Sequence, residues 1–148
     1  MIVTFCGHRD FIETVEAEVR LTALLENYAR DNGKLVCYNG GYGNFDLFAA
    51  ECVRRLQERH PNIRNCIVIP YITHEFLERI DGYKSIFDET IYPPLESVPK
   101  KYAIIRRNEW MVDNADILIA CVRYSWGGAA RTLEYAKRKR KVIEYLDI

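Results

Sequence analysis

The sequence predicts an α/β domain of the Rossmann-like type, with three layers and a mostly parallel sheet of five or more strands. Short apolar runs rich in Val, Ile and Cys alternate with longer segments of helical periodicity. This order is typical of parallel strands joined by right-handed crossovers. The apolar runs are nearly continuous rather than alternating, as expected for strands that helices cover on both faces. The 148 residues suit one domain, which we place at 1–148.

Strands are predicted at residues 2–6, 34–38, 66–71, 116–122 and 141–145. The first predicted helix covers residues 11–30, with Asp10 as its N-cap and Gly33 beyond its end. Its predicted apolar face consists of Phe11, Val15, Val19, Leu24 and Leu25. Further helices are predicted at residues 44–60, at 101–114 and, with a basic last turn, at 130–140.

An insertion is predicted at about residues 72–105, where the alternation of strands and helices is interrupted. Residues 74–80 have the pattern of one or two helical turns, and residues 85–92 have an extended character. Three prolines, Pro93, Pro94 and Pro99, then fix a stiff bend. Connections of this length in compact domains often form lids or binding loops.

The composition restricts the partners that we expect. Lys and Arg number 21 and Asp and Glu number 21, so the formal net charge is zero. This balance argues against nucleic acid as the main partner without excluding it, because phosphate-binding proteins usually carry a basic excess. No apolar run approaches the length of a membrane span, and the first residues lack the features of a signal peptide.

The five cysteines are odd in number and form no C-x-x-C pair. Most of them lie in or beside apolar runs, where a thiol behaves as a small hydrophobic group. We therefore expect a reduced, cytoplasmic protein without disulfides, metal centre or resident cofactor.

Glycines are concentrated where predicted strands lead into helices. Six of the eight follow a strand in this way: Gly7, Gly40, Gly41, Gly43, Gly127 and Gly128. The carboxyl edge of a parallel sheet is where ligands bind in doubly wound folds, and glycine N–H groups there can hold an anion. The alternative is that these glycines only form tight turns. The spacing matches neither G-x-G-x-x-G nor a Walker A loop, which disfavours dinucleotide dehydrogenases and P-loop NTPases.

Three motifs occur in order along the chain, at residues 4–9 (TFCGHR), 40–46 (GGYGNFD) and 107–113 (RNEWMVD). They are similar to the "TGHR", "GGAxGVD" and "RNxxMVD" signatures of the SLOG superfamily. This superfamily joins SMF-type DNA-processing proteins to the Lonely-guy phosphoribohydrolases, and the chain most resembles its small YpsA-like branch. The resemblance implies a Rossmann-like fold with a pocket for a nucleotide or a nucleotide-derived molecule.

Residues 127–134 (GGAARTLE) resemble half of the Lonely-guy signature "PGGxGTxxE". The two glycines and Glu134 are in register, whereas Trp126, Ala130 and Arg131 replace its proline, third glycine and threonine. The resemblance implies that Arg107 and Glu134 are catalytic, with the arginine on a phosphate or leaving group and the carboxylate on water or ribose. The alternatives are a solvated Glu134 and an Arg107 paired on the helix surface with Glu109 or Asp113.

The remaining candidates are ligand-binding residues. Arg9 can clamp a phosphate with two hydrogen bonds, Asp46 can accept one from a ribose hydroxyl, and Tyr42 and Trp126 can stack on a base. Alternatively, these side chains pair, cap or cover their own loops. The complete predicted set is Gly7, His8, Arg9, Gly40, Gly41, Gly43, Asp46, Asn108, Ser125, Trp126, Gly127 and Gly128.

The leading functional hypothesis is binding, including sensing, of a nucleotide-like small molecule at the carboxyl edge of the sheet. One alternative is a nucleotide N-glycosidase or phosphoribohydrolase that uses Arg107 and Glu134. A second alternative, by analogy of fold, is a single-stranded DNA accessory protein. A homodimer is a further expectation. The basic run at residues 137–141 is interpreted as a solvated helix end, where cations complement the helix dipole.

Overall fold

The computed structural model describes residues 1–82 and 85–146, and its elements confirm the α/β class. Residues 83 and 84 of the predicted insertion lie outside the described residues. Helices and strands follow one another in this order: β1 (Ile2–Gly7), α1 (Val15–Asp31), β2 (Leu35–Asn39), α2 (Asn44–Gln57), β3 (Ile63–Val68), α3 (His74–Asp81), β4 (Glu89–Ile91), α4 (Lys100–Asn114), β5 (Ile117–Cys121), α5 (Gly127–Arg138) and β6 (Val142–Tyr145).

Six strands form a parallel sheet in the order β4-β3-β2-β1-β5-β6. The chain moves outward from β1 to β4 and then returns to the other side of β1 with β5. Gly7 pairs with Cys121, so β1 and β5 end at the same level. The connections that follow these two neighbours diverge, and this divergence opens a crevice at the switch point of the sheet.

Helices cover both faces of the sheet, which explains the continuous apolar runs of its central strands. The pair α1 and α2 packs together on one face, and the pair α4 and α5 packs together on the other. Leu21, Leu25, Val53 and Leu56 are fully buried between the first pair and the sheet. Each such side chain contributes about 1.5–3 kcal/mol through its removal from water.

The start of α1 corrects the predicted N-cap. The helix begins at Val15, and the Thr14 hydroxyl accepts a hydrogen bond from the backbone N–H of Ala17 at 3.1 Å. Asp10 lies upstream in the loop after β1, so it does not cap the helix. The predicted start at residue 11 was wrong because apolar Phe11 continues the helical pattern while its side chain packs on Phe45 of α2.

The buried face of α1 also differs from the predicted one. Val15 is 78% exposed and Val19 is 60% exposed, although both were expected in the core. The buried face instead repeats every four residues, through Ala17, Leu21, Leu25 and Ala29. Its two alanines allow the helix to lie close to its neighbours, so a count of large apolar residues selected the wrong face.

The structure corrects the prediction at two adjoining places, the third strand and the insertion. β3 begins at Ile63, three residues earlier than predicted. The prediction missed these residues because polar Asn65 interrupts the apolar run. That side chain is fully buried and donates to the carbonyl oxygens of Ala50 and Ile86 at 3.2 and 3.0 Å. The insertion supplies α3 and then β4, which pairs with β3 as the edge strand. The sheet therefore has six strands where five were individually predicted.

The five cysteines are buried, and none of them forms a disulfide. Within the described residues, no group of His, Cys, Asp and Glu has the geometry of a metal site. None of the helices in that part of the chain combines the length and the apolar character that a membrane crossing requires.

Candidate functional site

A cleft of about 700 Å³ opens at the carboxyl ends of β1 and β5, where the switch point predicts a ligand site. Four segments of the chain form its walls: the end of β1 with the following loop, the start of α2, one face of α4, and the loop that leads into α5. The lining residues are Phe5, Cys6, Gly7, His8, Arg9, Asp10, Tyr42, Asn44, Asp46, Ile104, Arg107, Asn108, Met111, Tyr124, Trp126, Gly127, Gly128, Ala129 and Thr132.

A stack of three rings forms one side of the cleft. The His8 imidazole lies on the Tyr124 ring at 3.5 Å between centroids, and Tyr124 lies on Trp126 at 4.2 Å. The Tyr124 hydroxyl donates to the Asp10 carboxylate at 2.9 Å, which fixes the middle ring. Trp126 ends the stack and is 68% exposed. An indole held by a stack on one side offers a flat apolar surface to a further ring.

His8 connects the loop after β1 to the loop after β5. Its Nε2 accepts the backbone N–H of Arg123 at 2.8 Å, which places the ring proton on Nδ1. Burial lowers the pKa of His8; the Asp10 carboxylate opposes this shift, and the nearby Arg123 charge adds to it. The imidazole is therefore neutral at pH 7. Its role in the cleft is to position Tyr124 and the loop before α5.

The N-terminus of α5 opens into the cleft without a capping side chain among the described residues. Gly127 has φ = +90°, and a side chain added at Gly127 or Gly128 would meet no atom within 4 Å. The first turn of α5 contains no acidic residue. Uncapped N–H groups and the positive end of a helix dipole are the features that favour an anion at such a position.

At the other predicted glycines, the packing of the protein itself explains why glycine is present. A Cβ added at Gly7 would lie 2.6 Å from Phe45 Cβ and closer still to its ring, so β1 and α2 can touch only through a glycine. Gly40, Gly41 and Gly43 form the loop after β2 and do not line the cleft. The Gly41 N–H donates to the Asn39 side chain at 2.6 Å, which shows the packing of this loop on itself.

Arg107 lies under the loop after β2 and forms part of the cleft floor. Its side chain is 2% exposed, which excludes the alternative of a surface cation paired with Glu109 or Asp113. Nη1 donates to the carbonyl oxygens of Gly40 and Val68 at 3.0 and 2.8 Å, and Nε donates to Asn108 Oδ1 at 2.8 Å. Burial lowers the pKa of Arg107 to about 10, so it remains charged at pH 7.

Asp46 faces the cleft from the first turn of α2. Its Oδ2 accepts the backbone N–H of Tyr42 at 3.0 Å. Burial raises the pKa of Asp46 to about 6, although that hydrogen bond and the Arg107 charge lower it. The carboxyl group thus changes charge near neutral pH, at the base of the loop after β2.

The raised pKa of Asp46 gives a testable pH dependence. The folded protein holds this proton up to about pH 6, whereas the unfolded chain releases it near pH 4. The folded state therefore binds more protons between these values, and stability falls as the pH rises through this window. We expect Asp46→Asn to remove this part of the slope and to raise stability at pH 7.5 by about 1–2 kcal/mol, allowing for screening by water in the cleft.

The measurement is urea unfolding of both proteins at half-unit steps from pH 4 to pH 7.5. Other carboxylates contribute equally to both curves, so the difference between them isolates Asp46. A difference that is constant with pH would contradict the assignment.

Some predicted site residues lie away from the cleft. Glu134 is exposed and pairs with Lys137 at 3.2 Å, and it does not line the cleft. It follows Gly128 by six residues, or about 9 Å along the axis of α5. Ser125 is also outside the lining residues. The structure does not bring Arg107 and Glu134 together in this cleft, and their catalytic role stays a prediction.

Other lining residues were not among the predicted site residues. Asp10 and Tyr124 lie in the loops that follow β1 and β5, a position that could have indicated them. Phe5 and Cys6 belong to β1 and Asn44 begins α2, whereas the remaining ones lie on faces of α4 and α5 whose rotation the sequence does not give. The missed residues are Phe5, Cys6, Asp10, Asn44, Ile104, Met111, Tyr124, Ala129 and Thr132.

Comparison with known proteins gives relatives in sequence and in fold. No protein-family model matches the chain. The Uncharacterized SPbeta prophage-derived protein YoqJ of Bacillus subtilis (strain 168) is 27% identical over 141 residues, with 80% of this chain and 79% of that protein covered.

Two solved structures share the fold, and both are DNA processing protein A. The Helicobacter pylori protein, whose single-stranded DNA binding mode was described, matches with a TM-score of 0.64 at 16% identity over 98% of this chain. The Streptococcus pneumoniae protein matches with a TM-score of 0.65 at 16% identity over 97% of this chain. The chain spans 64% and 49% of their respective lengths. Both likenesses concern the fold, and they confirm the predicted Rossmann-like α/β class.

Proposed function

We propose that the cleft binds a nucleotide as a small-molecule ligand. One observation carries this proposal: a single cleft combines an uncapped helix N-terminus with an exposed indole that ends a fixed stack of rings. The first feature suits a phosphate group and the second suits a planar base. Trp126 directly precedes Gly127, so the two features adjoin each other in the chain.

The middle of the cleft suits a ribose. Asp46 of α2 and Asn108 of α4 both line the cleft, and both provide oxygen acceptors for sugar hydroxyls. Apolar contact comes from Ile104 and Met111 on the same face of α4. Small-molecule sites commonly combine apolar walls with a few fixed polar groups in this way.

Binding without cleavage is the form of the proposal that the geometry favours, since Glu134 lies outside the cleft. The phosphoribohydrolase alternative requires free base to be released from a nucleoside monophosphate. Its assay is chromatography of the four common ribonucleoside monophosphates after incubation with the protein. Release of a base that Glu134→Ala abolishes would contradict a function of binding alone.

Gly128→Asp tests the position of the phosphate. A carboxylate in the first turn of α5 is favourable for the helix itself, so the melting temperature is expected to stay the same or rise. The same carboxylate repels a bound phosphate, and we expect at least a tenfold loss of affinity, about 1.4 kcal/mol, for nucleoside monophosphates. Affinity is measured by titration calorimetry, and stability is measured by thermal unfolding.

Gly128→Asn is the matched control, because its side chain has the same size and shape without the charge. We expect it to retain most of the affinity. Equal losses in the two variants would indicate steric blocking rather than repulsion. Unchanged affinity in Gly128→Asp would show that the phosphate does not bind at the N-terminus of α5.

Single-stranded DNA is the second candidate, and the fold shared with a single-stranded DNA-binding protein from H. pylori favours it. The exposed Trp126 would serve a base of the strand equally well. The zero net charge of the chain argues against it. A fluorescent oligothymidine titrated at several salt concentrations distinguishes the two: DNA binding gives an affinity that falls steeply with salt, whereas a mononucleotide gives a shallow dependence.

A further inference from the structure

Two arginines converge on one tyrosine at the rim of the cleft. Tyr42 belongs to the loop after β2, Arg9 belongs to the loop after β1, and Arg79 comes from α3 in the insertion. The guanidinium carbons of Arg9 and Arg79 lie over the Tyr42 ring, 5.8 and 5.6 Å from its centroid. These distances are within the range of cation–π attraction.

The position of Arg9 is fixed by its backbone and side chain together. Its carbonyl oxygen accepts the N–H of Asn44 at 3.0 Å, and its Nη1 donates to the Tyr42 hydroxyl at 3.1 Å. Gly43 lies so close that an added Cβ would be 2.8 Å from Arg9 Cα. Arg9 and Tyr42 are therefore parts of one packed rim, and Arg79 approaches the same ring from the insertion.

The two guanidinium groups lack carboxylate partners in the part of the chain that the structure describes. Seven of the twelve other arginines pair with glutamates within 4.0 Å, namely Arg20, Arg30, Arg54, Arg55, Arg59, Arg64 and Arg106. Two like charges beside one ring repel each other, and a bound anion relieves that repulsion. Guanidinium groups match the oxygens of a phosphate group with paired hydrogen bonds.

We infer that the Arg9–Tyr42–Arg79 rim is a second anion subsite and that the ligand is a nucleotide with two phosphate groups. This inference rests on the proposed function, in which the N-terminus of α5 holds the first phosphate. Arg9 and Tyr42 line the same cleft as Gly127 and Gly128, so one molecule can reach both subsites. The cleft volume of about 700 Å³ lies in the upper part of the usual range for small-molecule sites, about 300–1,000 Å³.

The test compares affinities for nucleotides that differ only in the second phosphate. The probes are the 5′-monophosphate, the 5′-diphosphate and the 3′,5′-bisphosphate of each common ribonucleoside, measured by titration calorimetry. We expect at least one two-phosphate form to bind about tenfold more tightly than its monophosphate. Arg9→Gln and Arg79→Gln are each expected to remove that gain, and Arg79→Gln, whose side chain is not among the residues that line the cleft, is expected to leave the affinity for the monophosphate within about twofold.

Arg54→Gln is the control, because it removes the same charge from a paired arginine on α2. It is expected to retain the gain, and an equal loss in Arg54→Gln would overturn the inference in favour of a general charge effect. Monophosphate binding without any gain from a second phosphate would overturn the inference while the proposed function stands. Absence of binding by every probe would overturn both.

Discussion

Arg107→Met is expected to lower the free energy of unfolding by about 2–5 kcal/mol, because each of two buried carbonyl oxygens loses its donor at a cost of about 1–3 kcal/mol. The methionine fills most of the same space but donates no hydrogen bond. The carbonyl oxygens of Gly40 and Val68 then lose their donors inside the protein. The Asp46 carboxyl loses the nearby positive charge that lowers its pKa.

The measurement is urea unfolding at pH 7.5, followed by circular dichroism. Arg106→Met is the matched control on the same helix, because Arg106 is exposed and pairs with Glu109 at 3.6 Å. Such surface pairs contribute about 0–1 kcal/mol, so the control is expected to remain near wild type. Similar losses in the two variants would show that Arg107 is not the buried link between the loops.

Arg107→Lys separates charge from geometry. Lysine keeps a positive charge near Asp46, but its single ammonium group cannot reproduce the planar set of donors that reaches Gly40, Val68 and Asn108 together. We expect a stability between those of wild type and Arg107→Met. Full recovery by lysine would mean that charge alone matters at this position.

Gly7→Ala is expected to lower stability by about 2–3 kcal/mol through overpacking. The added methyl group would overlap the Phe45 side chain, which is fully buried. Phe45 cannot move freely, because its ring packs on Phe11 and Phe48 at centroid distances of 5.2 and 6.0 Å. Either β1 or α2 must shift, and both elements form the cleft.

Two further variants test the cause of this loss by the same urea unfolding assay. Gly33→Ala adds a methyl group at a glycine with open space, so its stability is expected to stay within about 0.5 kcal/mol of wild type. Gly7→Ala combined with Phe45→Leu is expected to be more stable than the sum of the two single losses implies, because the smaller side chain relieves the overlap. Additive losses would contradict a direct clash.

Much of the fold followed from local features of the sequence. Apolar runs and glycine-bearing loops indicated the central strands and the carboxyl edge where the cleft lies, because propensity and turn chemistry depend on near neighbours in the chain. The same reasoning failed for β3, where buried Asn65 interrupts the apolar pattern. That polar side chain is tolerated only because Ala50 and Ile86 supply distant carbonyl acceptors.

The candidate site was only partly predictable. The motifs selected Gly7, His8, Arg9, Asp46 and Arg107, all of which line the cleft. They also selected Glu134, which the rotation of α5 places outside it. Spacing within a motif gives the order of residues on a helix, but the side of the helix that faces a ligand depends on how the helix packs.

The sequence by itself determined the α/β class, the order of most elements and the edge of the sheet where the glycine loops meet. Only the tertiary structure decided that Arg107 turns inward, that His8 and Tyr124 stack beneath Trp126, and that Arg79 reaches Tyr42. The physical reason is distance along the chain: the loops after β1 and β5 are joined by a hydrogen bond between residues 115 positions apart. Such contacts form only when the packing of the whole sheet and its helices brings the loops together.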